Sequence, residues 1–225
     1  MAQQYLDFED ATVAGDAIAY EAWSPSTSSP LGLGSDPASV GWLTVPSGAL
    51  RFAKILDAIN SNEIEVYGEV IPSGGESDIY VGGNLGRNAY KFDIRQVANQ
   101  IRISKFVAGS ETSGLSTVSK TIPSGTLHSL RARWSAATNQ LKLRVWQTAD
   151  PEPVSWDIEI TDTSLAESGT VGLFTFGAAF TYSVIGIGTD GDSAPSSAPS
   201  GPSTPINLSI TSLLATSARL NWEQG

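Results

Sequence analysis

Apolar and polar residues alternate with a period of two along most of the chain before residue 190, which is the pattern of β-strands with one buried face. Residues 63–71, EIEVYGEVI, place small or apolar side chains at every second position, with glutamates and a tyrosine between them. Residues 127–134, LHSLRARW, and 141–147, LKLRVWQ, repeat the pattern with arginine and lysine on the polar side. Each such strand needs a second layer to cover its apolar face, so the pattern predicts two packed β-sheets.

Turn residues separate the alternating segments, so the strands are expected to follow one another in antiparallel order. The residues ATNQ at 137–140, between two strong strands, predict a hairpin. Only residues 52–60, FAKILDAIN, have a helical pattern. The sequence therefore predicts an all-β fold, a two-sheet antiparallel jelly-roll sandwich. Further strands are predicted at residues 5–9, 49–54, 78–82, 88–97, 100–107, 116–122, 154–160, 170–176 and 181–187.

The composition changes at residue 190. Residues 190–204, DGDSAPSSAPSGPST, are rich in proline, serine and glycine and are predicted to be a linker. Residues 205–225 contain two short β-runs, which are too few to form a stable core. We therefore expect residues 1–189 to be one complete sandwich, residues 205–225 to be the incomplete opening of a second domain, and the natural chain to continue past Gly225.

The composition narrows the class of protein. The chain has 225 residues and is 40% hydrophobic and 16% charged, which suits a full core in a turn-rich β-protein. It contains no cysteine, which excludes disulfides, cysteine-bound zinc and thiol chemistry. The N-terminal residues MAQQYLDFEDATVAG lack the basic and apolar regions of a secretory signal peptide. No run of about 18 apolar residues is present, so we expect no membrane insertion.

Charge is distributed unevenly along the chain, although the formal net charge is −10. Residues 1–86 carry 2 basic and 12 acidic side chains, residues 87–144 carry 10 and 2, and residues 145–225 carry 1 and 9. Two interpretations remain open: ion pairing between neighbouring strands, or a basic patch that meets an anionic ligand. Nucleic acid is not expected as a partner, because the protein is acidic overall and has no basic run.

The sequence around the predicted hairpin resembles a known family. Residues 127–146, LHSLRARWSAATNQLKLRVW, followed by GTVGLFTF at 169–176, resemble the closing strands of the concanavalin A-like lectin/glucanase sandwich, which includes laminin G-like modules. The resemblance covers residues 1–190. It implies a sandwich fold, carbohydrate binding or glucanase activity, and calcium as the usual metal.

The C-terminal residues carry a second resemblance. Residues 205–222, PINLSITSLLATSARLNW, resemble the first two strands of a fibronectin type III domain, in which a proline leads into the first strand and a tryptophan, here Trp222, ends the second. The phrase GIGTDGDSAP at 186–195 resembles the segment that follows such sandwiches in tailed-phage virion proteins. Together these resemblances imply a modular virion protein.

The catalytic motif of the family is broken on the predicted strand at residues 63–71. Glycosidases of the family carry E-x-D-x-E or E-x-D-x-x-E on one strand, and the corresponding acids of this strand are Glu63, Glu65 and Glu69. Tyr67 stands where the shorter motif needs its acid, and a glutamate replaces the aspartate. We therefore expect no enzymatic activity, and expect these glutamates to pair with arginines on adjacent strands. His128, the only histidine, is expected to be structural.

A basic face is the candidate carbohydrate site. Seven cations occupy outward positions of predicted strands, and if those strands are neighbours they form a polar floor on one sheet. Arginine forks suit the carboxylates or phosphates of anionic polysaccharides, and an aromatic ring can stack on a sugar. The alternatives are a solvated or ion-paired face, or a face covered by a partner subunit. The candidate carbohydrate-binding residues are Arg95, Arg102, Arg131, Arg133, Arg144 and Trp146, with Lys91 and Lys142 on the same predicted face.

Two acidic groups near the ends of the sandwich are the candidate calcium ligands. First and last strands often lie side by side in such sandwiches, which would bring the groups together, and calcium prefers oxygen ligands. Acidic clusters near termini are also commonly solubilising only. The candidates are Asp7, Glu9 and Asp10 in the first group and Asp190 and Asp192 in the second.

These features favour a non-enzymatic virion protein of a tailed bacteriophage: a tail-fibre, tail-tip or head-surface component whose polar sheet face binds host-cell polysaccharide. The expected partners are other virion proteins, host polysaccharide and further copies of the chain, and the expected location is the virion. Two alternatives stay open. One is a β-glucanase-like carbohydrate-active enzyme or its accessory module, and the other is a capsid decoration protein.

Overall fold

The computed structural model describes residues 3–7, 22–23, 43–45, 52–55, 61–82, 88–108, 110–166, 168–169, 171–176 and 180–197. These residues form fourteen β-strands in two antiparallel sheets, which confirms the predicted fold class. The strands are β1 Gln3–Asp7, β2 Ala22–Trp23, β3 Leu43–Val45, β4 Phe52–Ile55, β5 Glu63–Ile71, β6 Glu76–Val81, β7 Ala89–Arg95, β8 Gln100–Val107, β9 Ser110–Ser119, β10 His128–Ser135, β11 Gln140–Gln147, β12 Ile158–Thr161, β13 Val171–Phe176 and β14 Phe180–Thr189.

Each sheet has seven strands. Sheet 1 has the order β1-β14-β5-β10-β11-β12, and β3 also pairs with β14. Sheet 2 has the order β2-β4-β13-β6-β7-β8-β9, so β6 is its middle strand. Among the residues that the structure describes, no helix has the length and apolar character needed to span a bilayer.

Local sequence patterns determine the hairpins. The turn ahead of Gln140 joins β10 to β11 with Ser135 opposite Gln140, as predicted, and Asn139 adopts a positive φ of 55° there. The helical interpretation of residues 52–60 is wrong over Phe52–Ile55, which form β4 and pair with β13. Backbone pairing with β13 offers these residues a sheet partner, whereas a helix that short is marginal in isolation. Residues 56–60 lie outside the described residues.

The inner faces of both sheets form one core. Trp134 of β10 and Tyr90 of β7 bring the sheets together, with ring centroids 5.9 Å apart and both side chains buried. Gly82, at the end of β6, has a φ of 78°, and a Cβ there would lie 2.8 Å from the Trp134 ring. The core therefore requires glycine at this position.

The chain turns back after β14 and packs on the outer face of sheet 1. Asp190 and Gly191 both have positive φ, and the amide of Asp192 donates to the carbonyl of Thr189 at 3.0 Å. We call residues 192–197 the strap. They belong to the segment that the sequence assigns to the linker, while residues 198–225 lie outside the described residues.

Contacts at Ala194 help to hold the strap in place. Arg131 donates from Nη1 to the carbonyl of Ala194 at 2.8 Å, and the amide of Ala194 donates to Oε1 of Glu65 at 3.1 Å. Ala194 also packs in a small apolar cluster with Tyr67, Trp146 and Val184. The strap therefore covers part of the sheet face that the alternation pattern assigns to solvent.

Candidate functional site

The outer face of sheet 2 carries a group of charged side chains on its central strands. Even-numbered residues of β6 and β8 and odd-numbered residues of β7 share this face, because side chains alternate across a strand. The strand register places Asp78 opposite Asp93, and Asp93 opposite Arg102. We call the following residues the charged cluster: Glu76, Asp78, Lys91, Asp93, Arg102 and Glu111.

Lys91 lies at the centre of the charged cluster. Its Nζ is 3.1 Å from Oδ2 of Asp78 and 3.4 Å from Oδ2 of Asp93. The same nitrogen is 3.3 Å from Oε1 of Glu111 and 3.7 Å from Oε2 of Glu76. The Lys91 side chain is 3% exposed, and those of Asp78 and Asp93 are fully buried. A buried ammonium is thus surrounded by four carboxylates.

The rim of the charged cluster reaches solvent. Arg102 donates from Nε to Oδ2 of Asp93 at 2.6 Å and from Nη2 to Oε1 of Glu111 at 2.8 Å. Arg95, beside the cluster, donates from Nε to Oε1 of Glu76 at 2.7 Å. The side chains of Arg95 and Glu111 are 30% and 32% exposed. The rim therefore presents guanidinium and carboxylate groups that their neighbours hold in place.

Burial and the charges of neighbouring groups shift the pKa values of the buried residues of the charged cluster. Burial raises the pKa of Asp78 well above its usual range, and the charge of Asp93 raises it further. Burial also raises the pKa of Asp93, to about 6, against the opposing influence of Lys91 and Arg102. Burial lowers the pKa of Lys91, but the carboxylates of Asp78, Asp93 and Glu111 outweigh it and raise that pKa overall. Perturbed acidities of this kind concentrate at functional sites.

The charged cluster is also the place to look for a metal site. Within the described ranges, one group of three carboxylates, from Glu76, Asp78 and Asp93, places an oxygen of each within 4.8 Å of the others. The Nζ of Lys91 lies beside all three. A lysine ammonium therefore supplies the positive charge that a metal would bring, and these residues do not fit a metal ion.

The predicted basic floor is split between the two sheets. Arg95 and Arg102 lie on β7 and β8 of sheet 2, whereas Arg131, Arg133 and the β11 residues lie on sheet 1. The condition for one continuous basic floor, that all these strands are neighbours in one sheet, is therefore not met. The physical reason is that the β7-β8 hairpin belongs to sheet 2, whereas the β10-β11 hairpin belongs to sheet 1. The predicted residues that lie on β11 are Lys142, Arg144 and Trp146.

On sheet 1 the arginines pair with carboxylates. Arg131 donates from Nη1 to Oε1 of Glu65 at 2.7 Å and from Nε to Oε1 of Glu152 at 2.6 Å. Arg144 also contacts Glu152 and lies over the ring of Trp156, with its Cζ 4.4 Å from the ring centroid. Of the two interpretations of the charge pattern, these contacts favour ion pairing between neighbouring segments.

Several predicted surface side chains of sheet 1 are buried. Trp146 is 8% exposed and packs on Tyr67, with ring centroids 6.1 Å apart. It therefore has no free ring face of the kind that stacks on sugars. Arg133 is the exception, since its side chain is 39% exposed, with Nη1 3.7 Å from Oε2 of Glu65.

The three candidate glutamates of β5 behave differently from one another. Glu65 pairs with Arg131 and Arg133, as expected. Glu63 instead accepts a hydrogen bond from Oγ of Ser135. Glu69 accepts from the hydroxyls of Tyr67 at 2.7 Å and Ser183 at 3.1 Å. Arginine pairing is therefore correct for Glu65 only.

Among the described residues, the acids expected to bind calcium do not come together. β1 and β14 are neighbours, as predicted, but their antiparallel register pairs Asp7 with Val184 and Gln3 with Gly188. Val184 lies six positions before Asp190, so the backbones of Asp7 and Asp190 are about 20 Å apart. The expectation that the two groups meet is wrong for Asp7, because an antiparallel pair places the start of one strand beside the end of the other. Glu9 and Asp10 lie outside the described residues.

Asp190, Asp192 and His128 have contacts of another kind. Asp190 accepts from Oγ of Ser61 at 3.0 Å, and the backbone amide of Asp192 closes the turn into the strap. His128 is 2% exposed, and its Nδ1 lies 2.8 Å from the carbonyl oxygen of Thr126. Burial lowers the pKa of His128. These contacts fit a structural role for the histidine.

The sequence contains a closer match to the glycosidase motif than the one on β5. Residues 76–80 of β6 read E-S-D-I-Y, which fits E-x-D with Tyr80 in place of the final acid. The E-x-D spacing of Glu76 and Asp78 can be read from the sequence. A match of only two residues becomes informative once the structure places both on the middle strand of a sheet.

No protein-family model and no curated protein matches the sequence. Solved structures do match the fold. The apo Crh5 transglycosylase aligns with a TM-score of 0.54 at 13% identity, over 84% of this chain and 85% of that one. The β-glucanase of Bacillus licheniformis aligns with a TM-score of 0.53 at 10% identity, over 83% and 98%. The carbohydrate-binding module CBM66 of Bacillus subtilis aligns with a TM-score of 0.50 at 13% identity, over 59% and 77%.

These similarities establish the fold, a concanavalin A-like β-sandwich. The three proteins include enzymes and a binding module, so the fold alone does not choose between catalysis and binding. The choice depends on the residues of the charged cluster.

Proposed function

We propose that the sandwich is a non-enzymatic adhesion module that binds carbohydrate through the rim of the charged cluster. The observation that carries the proposal is the position of the cluster on strands β6 to β9 of sheet 2, where charged side chains are fixed by one another. A buried ionic group often costs stability relative to apolar packing, so its presence on a sheet face favours a functional role.

The chemistry of the rim suits sugars. A sugar hydroxyl both donates and accepts hydrogen bonds, and the rim offers donors on Arg95 and Arg102 beside acceptors on Glu76 and Glu111. These side chains are already ordered by their ion pairs, so less conformational entropy is lost when a ligand binds. The fold is also shared with a carbohydrate-binding module, which supports the same ligand class.

The buried state of the acids argues against hydrolysis. A glycosidase needs two carboxyl groups that touch the substrate, and one of them must hold a proton. Asp78 and Asp93 are fully buried beside Lys91, so neither reaches a ligand at the surface. Glu76 is 18% exposed but is paired with Arg95. Tyr80 replaces the final acid of the motif, so the motif supplies no second carboxyl group at the surface.

The biological setting belongs to the same proposal. We take it from the sequence resemblances: a tail-fibre, tail-tip or head-surface protein of a tailed-phage virion, assembled from several copies of the chain with other virion proteins. Host-cell polysaccharide is the ligand that this setting supplies.

A glycan array followed by calorimetry tests the proposal. We expect the purified chain to bind a subset of polysaccharides, and the substitution Arg95→Ala to weaken that binding about tenfold, the value of one charge-assisted hydrogen bond. Arg133→Ala is the matched control, because Arg133 is at least as exposed as Arg95 but lies on the outer face of sheet 1. Circular dichroism checks that both variants are folded.

Three results would overturn the proposal. The first is no binding to any polysaccharide. The second is a loss in Arg133→Ala with none in Arg95→Ala, which would move the site to sheet 1. The third is release of reducing sugar from β-glucans that Glu76→Gln abolishes, which would establish the enzyme alternative. That alternative has one observation in its favour, the approach of the Glu76, Asp78 and Asp93 carboxylates to within 4.8 Å.

A further inference from the structure

An amine and a carboxyl group face each other in the core of the charged cluster. The register pairs Lys91 of β7 with Tyr80 of β6, so Asp78 is the diagonal neighbour of Lys91 on the same sheet face. Nζ of Lys91 lies 3.1 Å from Oδ2 of Asp78. The paired strands hold both backbones in place. Two reacting groups fixed at this separation have the advantage of an intramolecular reaction.

The surroundings of Asp78 leave its carboxyl group available. Neither of its oxygens has a conventional hydrogen-bond partner among the described residues, and the ion pair with Lys91 is its close contact. The side chain is fully buried and that of Lys91 is 3% exposed. A condensation that releases water is favoured where bulk water is excluded, whereas the same pair in solvent stays hydrolysed.

A proton acceptor lies beside the pair. Asp93 is the register partner of Asp78, and its Oδ2 is 3.4 Å from Nζ of Lys91. Its Oδ1 has no hydrogen-bond partner among the described residues. Because the surrounding carboxylates hold Lys91 as an ammonium, its nitrogen can attack only after a neighbour has taken a proton. Asp93 is placed to take it.

We propose that Lys91 and Asp78 condense to a side-chain amide, an isopeptide bond between β7 and β6. Asp93 takes a proton from the ammonium and passes it to the carboxylate of Asp78, which makes that carboxyl group neutral and open to attack. The freed lone pair of Nζ then attacks Cγ, the Nζ–Cγ bond forms and one Cγ–O bond breaks. The departing hydroxyl takes a second proton from nitrogen and leaves as water. Ammonium and carboxylate thus give amide and water, and no oxidant, cofactor or other reactant is needed.

The reaction changes the energetics of the cluster. It removes one buried cation and one buried carboxylate, and with them the desolvation cost of a buried ion pair. Arg95 remains paired with Glu76, and Arg102 with Asp93 and Glu111. The product is a covalent cross-link beneath the rim, so β6 and β7 cannot be pulled apart while the rim is loaded by a ligand.

Mass spectrometry of the full chain under denaturing conditions tests the proposal. We expect an intact mass about 18 Da below that of the sequence, the mass of one water. Trypsin should leave Lys91 uncut and yield one branched peptide that joins residues 55–87 to residues 88–95. Lys91→Arg and Asp78→Ala should both restore the full sequence mass, and Asp93→Asn should yield mostly uncondensed chain. The wild-type mass and its branched peptide decide the proposal by themselves, so the test does not depend on whether the variants fold.

An internal control is available. Nζ of Lys105 lies 2.8 Å from Oδ2 of Asp162, but both side chains are partly exposed, and we expect their peptides to stay separate. An intact mass equal to that of the sequence would overturn the proposal. So would a water loss located at Asp190 and Gly191, because an aspartyl-glycine pair can lose water by forming a succinimide.

Discussion

Asp162 shows how one residue can anchor two segments. It follows β12 and accepts hydrogen bonds from Tyr90 at 2.8 Å and from Nζ of Lys105 at 2.8 Å. The backbone amide of Ser164 also donates to it, at 2.9 Å. Burial raises the pKa of Asp162, but these hydrogen bonds outweigh it and lower that pKa to about 2. The carboxylate therefore ties β7 and β8 of sheet 2 to the end of sheet 1.

We expect Asp162→Asn to lower the free energy of unfolding by about 2 kcal/mol at pH 7, since an aspartate in an unfolded chain titrates near pH 4. A depressed folded pKa contributes stability above pH 4 and loses it as the pH falls through about 2. The difference between wild type and variant should therefore shrink between pH 4 and pH 2. Urea unfolding across that range measures it, with the exposed Asp150→Asn as the control. A difference that stays constant with pH would contradict the assignment.

At the level of single residues, the alternation pattern predicts which side chains enter the core between the sheets. It does not predict which side chains of the outer faces are also buried. The inward residues of β5, such as Ile64 and Val66, are buried as the alternation requires. Tyr67 and Trp146 are assigned outward and are also buried, at 4% and 8% exposed. Ala194 of the strap packs against both, and a proline- and serine-rich segment gives no sequence signal that it will dock on a sheet.

The strap is an element whose position depends on glycine in the strand beneath it. Gly186 of β14 lies directly under the strap, and a Cβ there would collide with the carbonyl oxygen of Pro195. A backbone contact cannot move away as a flexible side chain would. The strap and β14 can therefore pack together only while position 186 carries no side chain.

We expect Gly186→Ala to displace the strap and to lower the free energy of unfolding by about 1–3 kcal/mol, the usual cost of overpacking. The backbone amide of Ala194, which donates to Glu65, should lose its protection from hydrogen exchange. Gly68→Ala on β5 is the matched control, because its Cβ would lie 3.5 Å from Ile185, an ordinary contact. It should change stability by less than about 1 kcal/mol. Retained protection at Ala194 in Gly186→Ala would show that the strap is not held this way.

At the level of elements, hairpins follow from the sequence and sheet membership does not. The β10-β11 pair is readable from its turn, because the pairing is local. Whether the β7-β8 hairpin joins the same sheet as β10-β11 depends on contacts between residues far apart in sequence. In the structure the two hairpins belong to different sheets. The basic segment of residues 87–144 is therefore divided between two faces, and the single basic floor cannot form. The E-x-D spacing of β6 is likewise legible in the sequence, but its central position in sheet 2 is not.

For the molecule as a whole, the two sheets have different roles in the proposed function. Ion pairs and the strap cover part of the outer face of sheet 1, and sheet 2 carries the charged cluster. The proposed cross-link would hold the core of that cluster, and the rim above it would contact the ligand. A rim of this size offers few hydrogen bonds, so each binding event should be weak.

Weak single sites gain strength when several copies act together. Linking copies turns later binding events into intramolecular ones, which can raise the apparent affinity about 10²–10⁴-fold without any new contact. We expect the chain biotinylated at its C-terminus and assembled on streptavidin to bind a polysaccharide-coated surface within that range above the monomer. Surface plasmon resonance at equal binding-site concentration measures the ratio. Arg95→Ala assembled in the same way should lose more than the monomer does, because the loss is repeated at each engaged site. A tetramer that binds no better than the monomer would contradict adhesion by many copies and favour a single high-affinity ligand.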